Sequence, residues 1–336
     1  MLFIGMKLIT NKRTKIYLSS VSMVGQETNT LRRTIMDNNY NKLNSIKDIL
    51  LKSFPNKRIL CNEENSINGL KTGFNKLDKL TFGLQPASLT VIGGRPSMGK
   101  TSLLLTMLNN IIHSTDIAQP KTVVLFSLET PAELLTDHLL CIHSNVNIHN
   151  FKAGSLTESE WKALWKANTT LQKTNLYIDD SCAITTKEIR ERIKNLKATN
   201  SIDLVAIDSL QLITASSPKP QRDYELDEIA RKLKKIAAEF NIPIVVTSQL
   251  NRNLEKRSVK RPLLYDLCAT NNIANYADLV LLLYREDYYN LTTEYENIAE
   301  LIVAKNRYGL TDTIYMFYKR KNYTFIPLDL SIKKNQ

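Results

Sequence analysis

The chain has 336 residues, 43% of them hydrophobic, enough to bury a full core, and it carries a formal net charge of +12. No run approaches the roughly 18 apolar residues of a membrane span, and the opening Met1 to Gly5 is too short for a secretory core, so neither a membrane protein nor a secreted one is expected. Cys61, Cys141, Cys182 and Cys268 lie far apart with no C-x-x-C pair, which excludes a disulfide scaffold and points to a reducing compartment.

The charge sits at the ends. Residues 1–60 hold 11 Lys and Arg against 3 Asp and Glu, and residues 303–336 hold 7 against 2. Basic ends around a near-neutral body suit contact with a polyanion, nucleic acid before membrane, and suit plain solvation equally well. Residues 1–40 read as a basic segment of undefined structure, 41–68 as a helix and linker, and 69–336 as the main domain. In the second of these, Ser45 to Lys52 has the apolar spacing of a short amphipathic helix that Pro55 stops.

From Leu70 strands and helices alternate with short connections, the pattern of a mainly parallel sheet with helices on both faces. Leu89 to Gly94 is the first clear strand, and a helix is expected from about Gly99 to His113. Between them Gly94-Arg95-Pro96-Ser97-Met98-Gly99-Lys100-Thr101, followed by Ser102, fits the G-x-x-x-x-G-K-[ST] pattern in the strand-to-helix context it requires. Such a loop turns backbone N–H groups around phosphates, sets Lys100 against the β- and γ-oxygens and offers the Thr101 hydroxyl to Mg²⁺.

Lys121 to Glu129 is the next strand. The helix after it should have Thr130 as cap, Pro131 in the first turn and Glu133 closing a capping box. Glu129 ends its strand on the side where a parallel sheet gathers ligands, placed to polarise a water or to serve as a first-turn helix acid. His138, Cys141, His143 and His149 fall close together without regular ligand spacing, so a packed helix end is expected rather than zinc. Thr157 to Glu160 and Thr185 to Glu188 repeat the T-x-x-E device before two more helices, with a short strand Leu176 to Asp179 between them.

Asp203 to Asp208 and Ile242 to Gln249 read as buried strands separated by an amphipathic helix, Glu225 to Phe240. Asp208 ends its strand where a carboxylate can orient Mg²⁺. Gln249, at the end of the other, is a γ-phosphate sensor or a polar strand terminus. Leu279 to Tyr284, Ala299 to Ala304, Thr313 to Tyr318 and Tyr323 to Pro327 read as an antiparallel extension with hairpin connections. Lys305 and Arg307, two residues apart on one strand face, form a solvated basic turn or a pair that stabilises phosphoryl-transfer charge, in their own chain or in a neighbour.

Together T-G-F-N-K-L-D at 72–78, R-P-S-M-G-K-T at 95–101, F-S-L-E at 126–129, I-D-S-L-Q-L at 207–212, S-Q-L-N-R at 248–252, K-R-P at 260–262, Y-R-E-D-Y-Y at 284–289 and K-N-R-Y-G at 305–309 resemble the ATPase domain of the DnaB-type replicative helicases. The resemblance implies a RecA-like P-loop NTPase fold using ATP and Mg²⁺. It makes Glu129 the catalytic base, Thr101 and Asp208 the metal-side groups, Gln249 the γ-phosphate coupler, and Lys305 and Arg307 the pair inserted into the adjacent subunit. It further implies a hexamer that moves 5′ to 3′ on single-stranded DNA and unwinds a fork, with primase and a helicase loader as partners, in a bacterial cytoplasm (host, plasmid or phage encoded) or a plastid stroma. Residues 46–52 resemble the helix that packs on the neighbouring protomer.

Two departures from the family pattern stand out. The helical collar that precedes this helix in the family is expected to be absent or reduced to residues 1–40. In the channel loop, where the family reads D-L-R-E-S-G, this chain has Asp266-Leu-Cys268-Ala-Thr270-Asn271. Losing an Arg that pairs with phosphate weakens affinity for DNA. Cys268, Thr270 and Asn271 remain DNA-facing candidates there, with Lys219 and Arg222 on the second channel loop. The other reading is a RecA-like ATP-binding regulator that does not unwind DNA.

Overall fold

The structure is a computed structural model and describes residues 45–47, 50, 67–114, 120–215, 219–267 and 272–328. The chain divides into two units, residues 1–64 and 65–336. In the first, residues 46, 47 and 50 are helical, with Ile46 and Leu50 exposed, and the basic segment of residues 1–40 lies outside the described residues.

The second unit is built on a sheet whose central strands, at 89–94, 122–127, 204–208, 244–249 and 279–285, are too apolar to leave either face wet. In chain order it comprises α1 (Asn75–Thr81), β1 (Leu89–Gly94), α2 (Lys100–Ile112), β2 (Thr122–Ser127), α3 (Ala132–Ser144), α4 (Ile148–Ala153), α5 (Glu158–Leu171) and β3 (Asn175–Asp179). There follow α6 (Thr186–Lys197), β4 (Leu204–Asp208), α7 (Arg222–Phe240), β5 (Ile244–Gln249), α8 (Asn272–Tyr276), β6 (Leu279–Arg285), β7 (Ile298–Asn306), β8 (Thr313–Lys319) and β9 (Thr324–Pro327). The nine strands described form one sheet, ordered β3-β2-β4-β5-β1-β6-β7-β8-β9. The pairs from β3 to β6 are parallel, and β6 to β9 are antiparallel.

Strand alternation divides the apolar residues between two cores. On β4, Leu204 and Ala206 face a core shared with Leu103, Leu104 and Met107 of α2 and Leu135 and Leu139 of α3. Val205 and Ile207 face the opposite core, with Ile189 and Ile193 of α6 and Ile229 and Leu233 of α7. A sheet covered on both faces in this way is the expected α/β architecture, antiparallel extension included.

Three local expectations need correction. Thr130 does not cap α3: Pro131 is the N-cap with no side-chain bond, and the first free N–H, of Ala132, donates to Asp180 Oδ2 at 2.9 Å. A residue before proline is pushed away from helical geometry, so Thr130 lies in the bend before the helix and not at its cap. The strand at Leu279 is not purely part of the antiparallel extension, because it pairs parallel with β1 from Thr90↔Leu279 to Gly93↔Leu282. Helix α7 begins at Arg222, three residues earlier than the periodicity places it. Both T-x-x-E sites form complete capping boxes, Thr157 with Glu160 and Thr185 with Glu188. Helices α1, α4 and α8 are additional to the sequence reading.

Candidate nucleotide site

The parallel register brings the carboxyl ends of β1, β2, β4 and β5 to one edge: Gly94 lies beside Gln249, and Ser127 beside Asp208. Open parallel sheets bind ligands at this edge. The chain turns there from β1 into α2 through Ser97 (φ 63°) and Gly99 (φ 99°). Gly99 is needed twice over, since a Cβ at that position would stand 3.0 Å from Phe325 Cζ.

The cleft is lined by Pro96, Ser97, Gly99, Lys100, Thr101 and Ser102 from the loop, and by Glu129, Ser209 and Gln249 from the neighbouring strand ends. Lys100 Nζ donates to the Arg95 carbonyl at 3.1 Å. Burial holds its ammonium below the usual lysine range, against the pull of the Asp208 and Glu129 carboxylates, which favour the charge. The Thr101 hydroxyl donates to Asp208 Oδ2 at 2.6 Å, and the other Asp208 oxygen accepts from the Thr247 hydroxyl. Asp208 is buried at 3% exposure. A hydroxyl and a carboxylate already in contact are hard oxygen donors of the kind Mg²⁺ takes, so these residues fit that ion.

The remaining loop residues have other uses. Met98 is buried in the core with α2, and Gly94 closes the end of β1. The Arg95 side chain is turned away from the cleft: its Nε donates to Glu255 at 2.8 Å and its Nη1 to the Leu250 carbonyl at 2.7 Å.

Tyr318, Tyr323 and His138 also line the cleft, and the sequence reading assigns none of them to the nucleotide site. The two tyrosine rings are nearly parallel, with centroids 6.5 Å apart and 13° between planes. Burial, with Lys152 nearby, holds His138 below the usual histidine range. The available signal was the aromatic content of the C-terminal strands, whose return over the loop is a tertiary event. Among the described residues no group of three or more His, Cys, Asp and Glu side chains could hold a metal ion. His113 and His143 stack at 3.9 Å, and burial pushes the Cys141 thiol up to about 11, as a packed helix end requires.

Lys305 and Arg307 are not brought to this cleft. They stand near the amino end of β1, since Leu279 pairs with both Thr90 and Asn306. Four further residues of β1 separate that level from Gly94, about 13 Å at strand rise. Lys305 Nζ donates to the Ala274 carbonyl at 2.6 Å, and burial, reinforced by Arg307, holds it below the usual lysine range. Arg307 pairs with the buried Asp278 at 3.1 Å while its own side chain stays half exposed.

Arg222, one of the DNA-facing candidates, donates to the carbonyls of Gln211 (2.8 Å) and Ile213 (3.0 Å) and pairs with Glu225. Its guanidinium thus holds the turn after β4 beside the start of α7. Lys219 lies 3.7 Å from Glu228. Cys268, Thr270 and Asn271 lie outside the described residues. Gln211, given no role of its own within the I-D-S-L-Q-L block, accepts from the Gln249 N–H at 3.1 Å and donates to Ser248 at 3.0 Å, so it ties β5 to the turn after β4.

Residues 69–326 match the family model of the DnaB-like helicase C-terminal domain. The chain is 38% identical over 302 residues to the replicative DNA helicase DnaC of Bacillus subtilis (strain 168), covering 88% of this chain and 66% of that protein. It is 37% identical over 286 residues to the replicative DNA helicase DnaB of Geobacillus stearothermophilus, covering 85% and 62%. A solved DnaB-like replicative helicase, described with its interactions with primase, superposes with a TM-score of 0.77 at 27% identity, over 94% of this chain and 77% of that one. The chain spans a little under two thirds of the length of these two curated relatives.

Proposed function

The chain belongs to the DnaB-like helicase C-terminal domain family, and on that premise we propose that it is an ATP-dependent replicative DNA helicase, a hexameric ring that moves 5′ to 3′ on single-stranded DNA and unwinds the duplex ahead. The observation that supports this reading is that the candidate residues fall into two groups at different levels of the strands. The phosphate loop, Glu129, Asp208 and Gln249 gather at the carboxyl edge, and Lys305 and Arg307 stand about 13 Å away along the strands. A site divided in this way is completed by the next copy.

In this reading the partly desolvated Lys100 draws charge from the β- and γ-oxygens more strongly than a surface lysine would. Glu129 accepts a proton from the water that attacks the γ-phosphorus as the bond to the bridging oxygen breaks. Thr101 and Asp208 would hold Mg²⁺, which would supply positive charge against the phosphates. Gln249 contacts the γ-phosphate and passes its loss to Gln211. Arg307 of one copy stabilises the transition state in its neighbour, with Lys305 beside it.

The family reading brings primase and a helicase loader as partners, and a reducing, DNA-containing compartment such as bacterial cytoplasm or plastid stroma. Among the described residues no helix is long and apolar enough to cross a membrane. The test is native mass and ATPase rate with ATP and Mg²⁺, with and without single-stranded DNA, followed by strand separation on a 5′-tailed fork. A ring with DNA-stimulated hydrolysis and unwinding is expected. A ring that neither responds to DNA nor separates strands, yet binds a full-length helicase, would replace this reading with that of a regulator.

A further inference from the structure

An arginine inside a phosphate loop would ordinarily be assigned to the phosphates, but Arg95 is committed elsewhere. Its side chain is 6% exposed, and a guanidinium keeps its charge at any accessible pH, so burial here requires partners. It has two on one segment: the Glu255 carboxylate at 2.8 Å and the Leu250 carbonyl at 2.7 Å. Lysine, with a single ammonium, lacks the planar fork that serves both. The Arg95 carbonyl at the same time accepts from Lys100 Nζ at 3.1 Å and from the Met98 N–H at 3.3 Å. One residue therefore sets the turn that holds the Lys100 amine and fastens that turn to the segment after β5.

That segment is internally tied. Glu255 sits in the 3-10 turn Arg252–Lys256, whose cap Asn251 donates its N–H to the Asp266 carbonyl at 2.8 Å. The next residue, Arg257, holds the buried Asp266 carboxylate at 2.8 Å, and Asp266 also accepts from the Leu263 N–H at 2.8 Å. A displacement of the Arg95 turn is thus passed through Glu255 to a turn whose two ends are both fixed to Asp266.

We propose that Arg95 is a positioning residue that couples the nucleotide cleft to the Leu250–Leu267 segment through Glu255 and the Leu250 carbonyl. The inference rests on the nucleotide-site part of the function above and is independent of unwinding. Hydrogen exchange on the full chain tests it, with ADP and Mg²⁺ and then a non-hydrolysable ATP analogue as probes. In the wild type, nucleotide should slow exchange both at residues 94–102 and at residues 251–267. In Glu255→Ala and in the isosteric Glu255→Gln, whose side chains stand outside the cleft, protection at 94–102 should persist while the response at 251–267 falls to less than half. Arg95→Met, which keeps the volume but removes both bonds, should lose the response at 251–267 altogether.

An unchanged response at 251–267 in the Glu255 variants, or none there in the wild type, overturns the coupling. No protection at 94–102 in the wild type overturns the nucleotide site itself. Variants in which protection is lost evenly across the domain, together with a lower Tm, show that Arg95 and Glu255 act only as a structural pair, which also overturns it. Where coupling holds and DNA stimulates hydrolysis, the stimulation should fall about fivefold in Glu255→Gln at unchanged native mass, the size expected when one link between coupled sites is cut.

Discussion

Arg307→Ala separates the role of a residue in its own fold from the role proposed for it in a neighbouring copy. Within the chain Arg307 bonds the buried Asp278, but that carboxylate keeps Lys234 at 2.7 Å and the Leu89 N–H at 2.8 Å when Arg307 is removed. The Arg307 side chain is 51% exposed, so screening limits the structural loss to about 0–1 kcal/mol and the fall in Tm to about 4 °C or less. Hydrolysis should nevertheless fall about a thousandfold or more, because the charge it neutralises exists only in the transition state, and nucleotide affinity should barely change.

Mixing Arg307→Ala with Lys100→Ala then reads the geometry directly. Each variant alone is inactive. In rings mixed one to one, about a quarter of the interfaces place an intact Lys100 against an intact Arg307, so about a quarter of the wild-type rate should return if sites act independently. Steady-state ATPase across mixing ratios, with native mass confirming mixed rings, is the assay. Mixed rings with no recovered activity, or an Arg307→Ala protein that hydrolyses ATP at the wild-type rate, would refute the divided site.

Two further outcomes follow from the cleft. Because burial already lowers the Lys100 pKa, the ammonium that phosphate needs is lost on raising pH before ordinary lysines titrate. Affinity for a fluorescent ATP analogue should therefore begin to decline on the acidic side of the usual lysine range, and an affinity that stays flat until ordinary lysines titrate would contradict the assignment. Tyr323→Ala should raise KM for ATP about fivefold with kcat nearly unchanged, the loss of one aromatic wall worth about 1 kcal/mol, whereas a fall in kcat alone would place the ring in the chemistry.

Much of the fold could be read from local patterns. Strand β1 has the expected bounds, Leu89–Gly94, because a strand buried on both faces must be apolar throughout and the loop after it needs glycine. The T-x-x-E caps are complete within four residues, so no distant contact is needed to form them. What escaped the sequence depends on distant partners. Thr130 carries the local signature of a cap but is overruled by Pro131 and by Asp180, which arrives from beyond β3. The orientation of β6 beside β1 follows from the crossover through α8, and an apolar strand reads the same in either direction. Glu129, Asp208 and Gln249 were legible because parallel strands end together. Tyr323 was not, since its place in the cleft depends on the β8–β9 hairpin folding back over α2. Arg95 matched the loop motif by position, and only its partners 155 and 160 residues away reveal that its side chain serves another segment.

The sheet also determines which kinds of self-association are open to the chain. Among the described residues its outer strands are β3, of five residues, and β9, of four. Strand β9 ends in Pro327, which has no N–H to offer an incoming strand, and β3 carries Asp179 engaged by Arg192 at its end. Short margins finished with proline or charge discourage the edge-to-edge growth that leads a crowded β-rich protein toward fibrils. In the proposed ring, copies would then meet through side chains, in contacts that could open and close, whereas a continuous backbone ladder between subunits would lock them together.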